Sequence, residues 1–305
     1  MTGKILILAK ALRPAQWTKN LSLFASLLLT GQLVNPYLFN KTLLGFFVFC
    51  FLSSSSYLIN DLIDADSDRL HPVKKNRPIA SGQLSPATAL ITAFVLFLSA
   101  LFLASFINST FLLLSLFFAL LQVSYSLFLK KKAILDIIGI SVFFIIRVYA
   151  GEITTGFHLP IWILLSVIFL SLFIASGKRR SELFSTGTVA RSSLRQYGKG
   201  LLNFYTTIFA VCTLITYAMF TFFEEPVRFQ GITHSFLLEY FPAALDRKIY
   251  MITLAPVIFG IMRYGQIIFE MQEGERPEKI IATDIPLLFS VMLWGLSIVA
   301  IIYVF

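Results

Sequence analysis

Residues 42–82 read TLLGFFVFCFLSSSSYLINDLIDADSDRLHPVKKNRPIASG, an apolar run followed by a strongly charged segment. Its first part, residues 42–63, is an apolar run of the length that crosses a bilayer as a helix. The run continues without a break into a segment that carries four aspartates and then five basic side chains. The stretch therefore predicts a membrane helix that ends in a polar site.

The rest of the chain repeats this apolar character. Of its 305 residues, 57% are hydrophobic and only 13% are charged, whereas soluble domains carry about 25% charged residues. This composition excludes an ordinary cytosolic globule and a disordered chain, and the continuous apolar runs exclude a membrane barrel, which needs alternation. We expect one all-α, polytopic catalytic domain over residues 1–305, preceded by a short interfacial helix at about 4–15 that ends at Arg13-Pro14. Nine spans are predicted, at 20–38, 42–63, 86–107, 109–129, 134–155, 159–177, 201–223, 248–270 and 284–304.

The distribution of Lys and Arg predicts the orientation in the membrane. The net charge of +9 does not indicate a nucleic-acid partner here, because nineteen basic residues fall in alternate connecting segments and only four fall in the others. By the positive-inside rule the N-terminus lies in the cytoplasm and the C-terminus outside, and we expect the inner membrane of a bacterial cell. The polar site then faces the cytoplasm.

The aspartates at the end of the second span form a stripe. Asp61, Asp64 and Asp68 fall within about 60° of one another on a helix, with Asn60 beside them and Asp66 on the other side. An all-oxygen ligand set suits Mg²⁺. On a straight helix Asp61 and Asp68 are about 10 Å apart, so two ions, or one ion with Asp68 as a hydrogen-bonding group, both fit. The alternative is a solvated acidic helix end, which is unusual on the cytosolic side.

A basic loop follows the stripe, between Pro72 and Pro78. Metal-binding carboxylates beside Arg and Lys donors are typical of phosphate sites. Taken alone, the basic run also fits the excess of Lys and Arg that cytoplasmic segments carry under the positive-inside rule. His71 has two interpretations: it acts on a phosphate as a hydrogen-bond donor or general acid, or it only shapes the loop. The five basic side chains are Arg69, His71, Lys74, Lys75 and Arg77.

The pattern Asn60-Asp61-x-x-Asp64-x-x-x-Asp68 resembles the signature of the UbiA superfamily of intramembrane prenyltransferases. The resemblance implies nine helices around a central cavity that opens to the cytoplasm. The continuation to Gly82, with Arg77-Pro78-Ile79-Ala80-Ser81-Gly82, is similar to the branch of decaprenyl-phosphate phosphoribosyltransferases. Other motifs similar to that branch are Arg13-Pro14-x-x-Trp17-x-Lys19-Asn20, Tyr125-Ser126-x-x-Leu129-Lys130 with Asp136, Arg147-x-x-Ala150-Gly151, and Ser176-Gly177-Lys178-Arg179-x-x-Glu182. The resemblance covers about residues 10–265.

One departure from typical superfamily members lies after the sixth span. A second acidic motif is expected there, but residues 177–182 read GKRRSE, which is basic. A basic motif suits phosphate oxygens that carry no metal, so the resemblance implies phosphoribosyl diphosphate (PRPP) and a polyprenyl phosphate as substrates, with Mg²⁺ as cofactor.

The expected catalytic residues are Asp61, Asp64 and Asp68, and the expected metal ligands are these three with Asn60. The expected substrate-binding residues are Lys19, Asn20, Arg69, His71, Lys74, Arg77, Tyr125, Lys130, Asp136, Arg147, Lys178 and Arg179.

Several alternatives stay open at this point. Lys178 and Arg179 also fit helix-end charge, and Arg147, eleven residues after Asp136 and near the same helical face, fits a structural pair with Asp136 as well as a contact with substrate. The rival activities are prenyl transfer from a prenyl diphosphate to an aromatic acceptor, which the basic motif disfavours, and transport of an anionic metabolite. A homo-oligomer is compatible with the sequence, which carries no signal for a particular state.

Overall fold

The structure, a computed structural model, describes residues 2–70, 74–186, 192–224, 249–271, 274 and 277–304. Every regular element in these ranges is helical. His71 and Pro72 lie outside the described residues, as do five of the basic residues counted for orientation: Arg191, Arg228, Arg247, Lys248 and Arg276.

The α-helices are α1 (Thr2–Leu12), α2 (Phe24–Leu29), α3 (Pro36–Ile63), α4 (Ala65–Leu70), α5 (Pro86–Ser105), α6 (Ser109–Leu127), α7 (Leu135–Thr155), α8 (Ile161–Thr186), α9 (Lys199–Phe223), α10 (Leu254–Gln266), α11 (Pro277–Thr283) and α12 (Ile285–Tyr303). The 3₁₀ helices lie at Pro14–Leu23, Lys74–Asn76, Leu129–Lys131, Ser192–Gln196 and Ile249–Thr253. A π-helical turn lies at Ile267–Met271.

Eight helices in the described ranges are long and apolar enough to cross a membrane. This confirms the predicted all-α, polytopic architecture, but the expected count of nine regular spans is not confirmed. The stretch predicted as the first span, 20–38, forms instead the end of the 3₁₀ helix Pro14–Leu23, the short α2 and a turn before α3.

The 3₁₀ helix and α2 nevertheless extend along the whole bundle. Arg13, with a left-handed φ of 54°, ends α1 and contacts Asp61 at the C-terminal end of α3. Ser26, in α2, hydrogen bonds to Thr155 at the C-terminal end of α7, which is the opposite end of the molecule because α3 and α7 are antiparallel. A 3₁₀ helix rises about 2 Å per residue, so ten residues cover about 20 Å. We call the Asp61 end of the bundle the carboxylate end.

Gly151 in α7 explains how this irregular segment fits against its neighbour. A Cβ atom at position 151 would overlap the backbone carbonyl of Leu23. The glycine therefore permits the backbone of the 3₁₀ helix to touch α7, and this approach fixes the depth of the side chains that the 3₁₀ helix carries.

Burial separates inner helices from outer ones. In the most apolar windows of α3 and α7, 56% of the residues are buried, compared with 22% in α5 and 17% in α6. α3 and α7 therefore form the inner wall, and α3 packs against α6 through a core of Phe49, Phe111 and Phe118. Exposed apolar side chains such as Phe94 and Phe102 cover the outer helices, as expected for a surface in contact with lipid.

Candidate active site

A cavity of about 270 Å³ lies between the inner helices near the carboxylate end. Ten of the side chains expected from the sequence to form the site line it. They are Lys19, Asn60, Asp64, Lys74, Arg77, Tyr125, Lys130, Arg147, Lys178 and Arg179. The same wall carries the apolar side chains of Ile140, Phe143, Phe144 and Ile174, so the cavity has a polar part and an apolar part.

Lys130 holds two oxygen-bearing side chains of the cavity, Asn60 of α3 and Asp64 at the C-terminal cap of α3. Its Nζ lies 2.8 Å from both carboxylate oxygens of Asp64 and 3.0 Å from Oδ1 of Asn60. Asn60 Nδ2 also donates to Asp64. Lys130 is buried, whereas Lys131 and Lys132 are exposed, and this difference identifies the lysine of the basic triplet that faces the site.

Asp61 and Asp68 are buried behind this wall and are bound by arginines. Arg13 contacts both oxygens of Asp61, at 2.6 and 2.8 Å. One nitrogen of Arg77 lies 3.0 Å from Asp61 and 2.6 Å from Asp68. The two carboxylates are thus much closer than the spacing of about 10 Å on a straight helix, because α3 ends at Ile63, with Asp64 as its C-cap, and the chain turns into α4. Burial raises the pKa of Asp68, and Arg77 offsets part of that shift.

α11 contributes an acidic residue beside the cavity. Glu278 accepts a hydrogen bond of 2.6 Å from Gln16 and lies 3.5 Å from Lys19. Burial by itself raises the pKa of Glu278, but the Lys19 ammonium and the Gln16 amide outweigh it, so the pKa lies below its usual value. Lys178 lines the cavity without an ion pair to any described carboxylate.

Arg179 is engaged by protein groups on all sides. It is 1% exposed, and its guanidinium contacts Asp136 at 2.8 Å, Glu182 at 2.6 Å and the Tyr125 hydroxyl at 2.9 Å. Asp136 also accepts a hydrogen bond from Tyr197 and does not line the cavity. The structure thus places Asp136 in a buried network that joins α7 to α8, where it supports Arg179 and, through it, Tyr125.

Three expected substrate-binding residues stand apart from the cavity surface in the described structure. Arg69 is exposed and pairs with Asp66 on the outer side of α4. Asn20 is fully buried and accepts a hydrogen bond from Arg147, so Arg147 pairs with Asn20 and not with Asp136. Asp136 is the third. Although Asp136 and Arg147 both belong to α7, each takes its partner from another element, Arg179 of α8 and Asn20 of the 3₁₀ helix.

Several polar residues of the cavity and its rim were not among the expected site residues. Arg13, Tyr57 and Gln122 line the cavity, and Glu278 binds Lys19 at its edge. Arg13 had a signal, since it belongs to the Arg13-Pro14 motif at the end of α1. Glu278 had none, because it lies far along the chain in a segment without a motif.

The oxygen donors at the cavity suit Mg²⁺ in their chemistry. The described residues contain no group of three or more His, Cys, Asp or Glu side chains arranged to hold a metal ion. Mg²⁺ is usually bound through only one or two carboxylates and takes its remaining ligands from water and substrate phosphates. Asp64 and Asn60, which face the cavity, fit this smaller ligand set.

The chain is similar to curated enzymes over almost its whole length. It is 34% identical over 303 residues to the decaprenyl-phosphate phosphoribosyltransferase of Mycolicibacterium smegmatis, covering 97% of this chain and 92% of that protein. It is 32% identical to the protein of the same name from Corynebacterium glutamicum, covering 97% and 86%.

Solved structures show the same fold. A UbiA homolog from Archaeoglobus fulgidus bound to GPP and Mg²⁺ superposes with a TM-score of 0.68 at 19% identity, covering 96% of this chain and 99% of that one. The structure of a UbiA homolog from the same organism bound to DMAPP and Mg²⁺ also gives 0.68, at 21% identity, covering 98% and 99%. Residues 21–281 match the UbiA prenyltransferase family. The chain therefore belongs to the UbiA prenyltransferase family.

Proposed function

We propose that this protein transfers the 5-phosphoribosyl group of PRPP to a polyprenyl phosphate and releases diphosphate. The observation that carries the proposal is the cavity itself, in which oxygen donors and many cations stand beside an apolar wall. A substrate pair with four phosphate groups and one isoprenoid chain matches those surfaces. The names of the relatives that share 34% and 32% of its residues support the same reaction.

The proposal assigns Mg²⁺ to Asn60 and Asp64. When bound, the ion would neutralise the diphosphate and make it a better leaving group. Lys130 orients both ligands, since it contacts oxygens of each. Asp61 and Asp68 anchor Arg77 at the cavity wall, and they remain candidate ligands if Arg13 and Arg77 turn to the substrate phosphates. Metal-bound UbiA structures support a divalent ion for this fold.

The basic side chains position the phosphates. An acceptor phosphate is already an anion near neutral pH, so the reaction requires orientation of two anions and no strong general base. Lys19, Arg77 and Lys178 line the cavity near the metal ligands and are assigned to PRPP. Tyr125 completes this wall, with its hydroxyl fixed by Arg179.

The proposal also includes the orientation in the membrane. The basic residues cluster at the carboxylate end and its connecting segments, so this end faces the cytoplasm, where PRPP is soluble. The polyprenyl chain lies in the bilayer and reaches the cavity from the side.

The function is tested with purified protein in nanodiscs, given labelled PRPP and polyprenyl phosphate with and without Mg²⁺. We expect transfer to need the ion, and Asp64→Asn to lower the rate by at least about a hundredfold, in line with loss of a charged group that stabilises developing charge. Asp66→Asn is the matched control, because Asp66 is exposed and contacts only Arg69 among the described residues.

Two results would contradict the proposal. Equal activity of the Asp64→Asn and Asp66→Asn proteins would remove the metal assignment. Turnover of a prenyl diphosphate with 4-hydroxybenzoate, in the absence of turnover with PRPP, would identify the protein as a prenyltransferase.

A further inference from the structure

Among the cavity arginines that the structure describes, Arg147 is the one without a carboxylate partner. Five cavity cations form ion pairs with carboxylates, namely Arg13, Lys19, Arg77, Lys130 and Arg179. Arg147 is 4% exposed, yet no described carboxylate lies within ion-pair distance of it. An unpaired cation inside a membrane-spanning helix is costly, so its presence at a cavity wall indicates an anion that the protein does not itself supply.

The protein nevertheless fixes the guanidinium of Arg147 firmly. Nε donates to Oδ1 of Asn20 at 2.6 Å, and Nη1 donates to the carbonyl of Phe143 at 2.7 Å. The group also lies over the rings of Phe118 and Phe144, at 5.0 and 5.9 Å from their centroids. Nη2 makes no hydrogen bond with any residue that the structure describes, and Arg147 lines the cavity. Both N–H groups of Nη2 are therefore left for a ligand.

The depth of Arg147 separates it from the metal ligands. Asn20, its partner, contacts Cys50 of α3, and Cys50 precedes Asn60 by ten residues, or about 15 Å of helix. The backbone of Arg147 lies about 16 Å from that of Asp136 along α7. The Arg147 side chain points back toward the carboxylate end and donates a hydrogen bond to the carbonyl of Phe143. The cavity therefore has two places for phosphate groups, one among the lysines and arginines near Asn60 and Asp64 and a deeper one at Arg147.

The surroundings of the deeper place suit a lipid phosphate. Ile140, Phe143 and Phe144 line the cavity around it, and apolar walls of this kind would pack against the first isoprene units of a polyprenyl chain.

The geometry of the transfer gives the same assignment. An acceptor phosphate oxygen forms a bond to C1 of the ribose while the bond from C1 to the diphosphate oxygen breaks, and the electron pair leaves with the diphosphate. If the diphosphate lies at Asn60 and Asp64, an acceptor that attacks from the opposite face of C1 lies deeper in the cavity, on the side of Arg147.

We propose that Arg147, held in place by Asn20, binds the phosphate of the polyprenyl acceptor. This inference rests on the proposed function, because that function supplies the acceptor. It divides the cations of the site between the two substrates, with the carboxylate end serving PRPP and Arg147 serving the lipid.

The test compares Arg147→Gln with wild type in nanodiscs, using full-length protein. Direct binding of labelled polyprenyl phosphate and of the neutral polyprenol is measured without PRPP, and the KM of each substrate is measured in the transfer reaction. We expect Arg147→Gln to weaken polyprenyl phosphate binding by at least about tenfold, the effect of losing a charged hydrogen bond. Polyprenol binding and the KM for PRPP should change by less than about twofold, because neither involves Arg147.

Controls keep the outcomes distinct. Arg263→Gln is the matched control, because Arg263 is also an arginine of a spanning helix but pairs with Asp284 away from the cavity; it should leave both KM values unchanged. If Arg147→Gln does not fold, Arg147→Lys replaces it, since lysine keeps the charge and loses the guanidinium fork, and the same selective loss of phosphate binding is expected.

Two results would overturn the inference. A rise in the KM for PRPP with unchanged lipid binding would assign Arg147 to PRPP, and an equal loss of polyprenol and polyprenyl phosphate binding would make its role structural. Because the binding measurement contains no PRPP, a wild-type protein that binds polyprenyl phosphate through Arg147 but transfers nothing would refute the proposed function and leave the phosphate site standing.

Discussion

Lys130 links α6 to α3 at the carboxylate end, since it follows α6 in the chain and contacts Asn60 and Asp64. Truncating one partner of a buried charge pair leaves the other without compensation. The position of Asp64, on which the proposed metal site depends, therefore depends in turn on this lysine.

Replacing Lys130 tests this dependence. Lys130→Gln should lower the rate of transfer by at least about tenfold and raise the Mg²⁺ concentration needed for half-maximal activity, because a lost pair of this kind costs about 2–5 kcal/mol. Lys131→Gln is the control, as Lys131 is exposed, and steady-state kinetics over a range of Mg²⁺ concentrations measures both. Identical curves for the two variants would exclude a role for Lys130.

For Arg179 we predict an effect on stability, because its guanidinium contacts Asp136, Glu182 and Tyr125. Arg179→Gln leaves Asp136 buried without its cation, which should reduce the free energy of unfolding by about 3–5 kcal/mol. Thermal unfolding in detergent should show a large decrease in Tm, whereas Arg195→Gln, at an exposed position, should show almost none. An unchanged Tm would mean that the buried network does not stabilise the fold.

At the scale of elements, the break in the helix at Asp64 shapes the site. Had α3 continued straight, Asp68 would lie about 10 Å from Asp61, and Arg77 would not reach both carboxylates. Ending α3 at Ile63 leaves Asp64 and Asn60 at the cavity and turns Asp68 back toward Asp61. The motif therefore divides into two sets of side chains. Asn60 and Asp64 face the cavity, and Asp61 and Asp68 bind arginines.

The contact between the 3₁₀ helix and α7 sets the depth of Lys19 and Asn20. Gly151→Ala should push the Leu23 backbone away from α7, at a cost of about 1–3 kcal/mol for overpacking, and should reduce activity through the displaced Asn20 and Arg147. Gly295→Ala is the control, because a Cβ there meets open space. Tm and KM for polyprenyl phosphate are the measurements; equal values for both variants would contradict the close approach.

Much of this arrangement follows from the sequence, and the remainder depends on tertiary partners. The apolar runs gave the spanning helices from α3 onward, and the spacing of Asn60 and Asp64 identified the polar end of α3. Helical periodicity cannot distinguish an aspartate that faces a cavity from one that faces Arg13, because the arginine comes from another element. The irregular path of the predicted first span does not follow from the sequence for a similar reason, since it depends on the contact with Gly151 and not on local hydrophobicity.

At the scale of the whole molecule, the inner helices form a cavity and the outer helices separate it from lipid. The basic residues of the carboxylate end predict that this end faces the cytoplasm. In a protein with Cys50 and Cys212 replaced by serine, Ser67→Cys should react with an impermeant maleimide only in inside-out vesicles, and His158→Cys only in right-side-out vesicles. Both positions are exposed and lie at opposite ends of the bundle; the reverse labelling pattern would invert the topology.

The central claim, transfer of phosphoribosyl to a polyprenyl phosphate, is tested most directly by the mass of the lipid product. Purified protein in nanodiscs is given PRPP with a ¹³C-labelled ribose, a polyprenyl phosphate and Mg²⁺. We expect a lipid heavier than the acceptor by one labelled phosphoribosyl group, together with release of diphosphate. An acceptor that is recovered unchanged, while a prenyl diphosphate supplied in parallel is transferred to an aromatic compound, would contradict it.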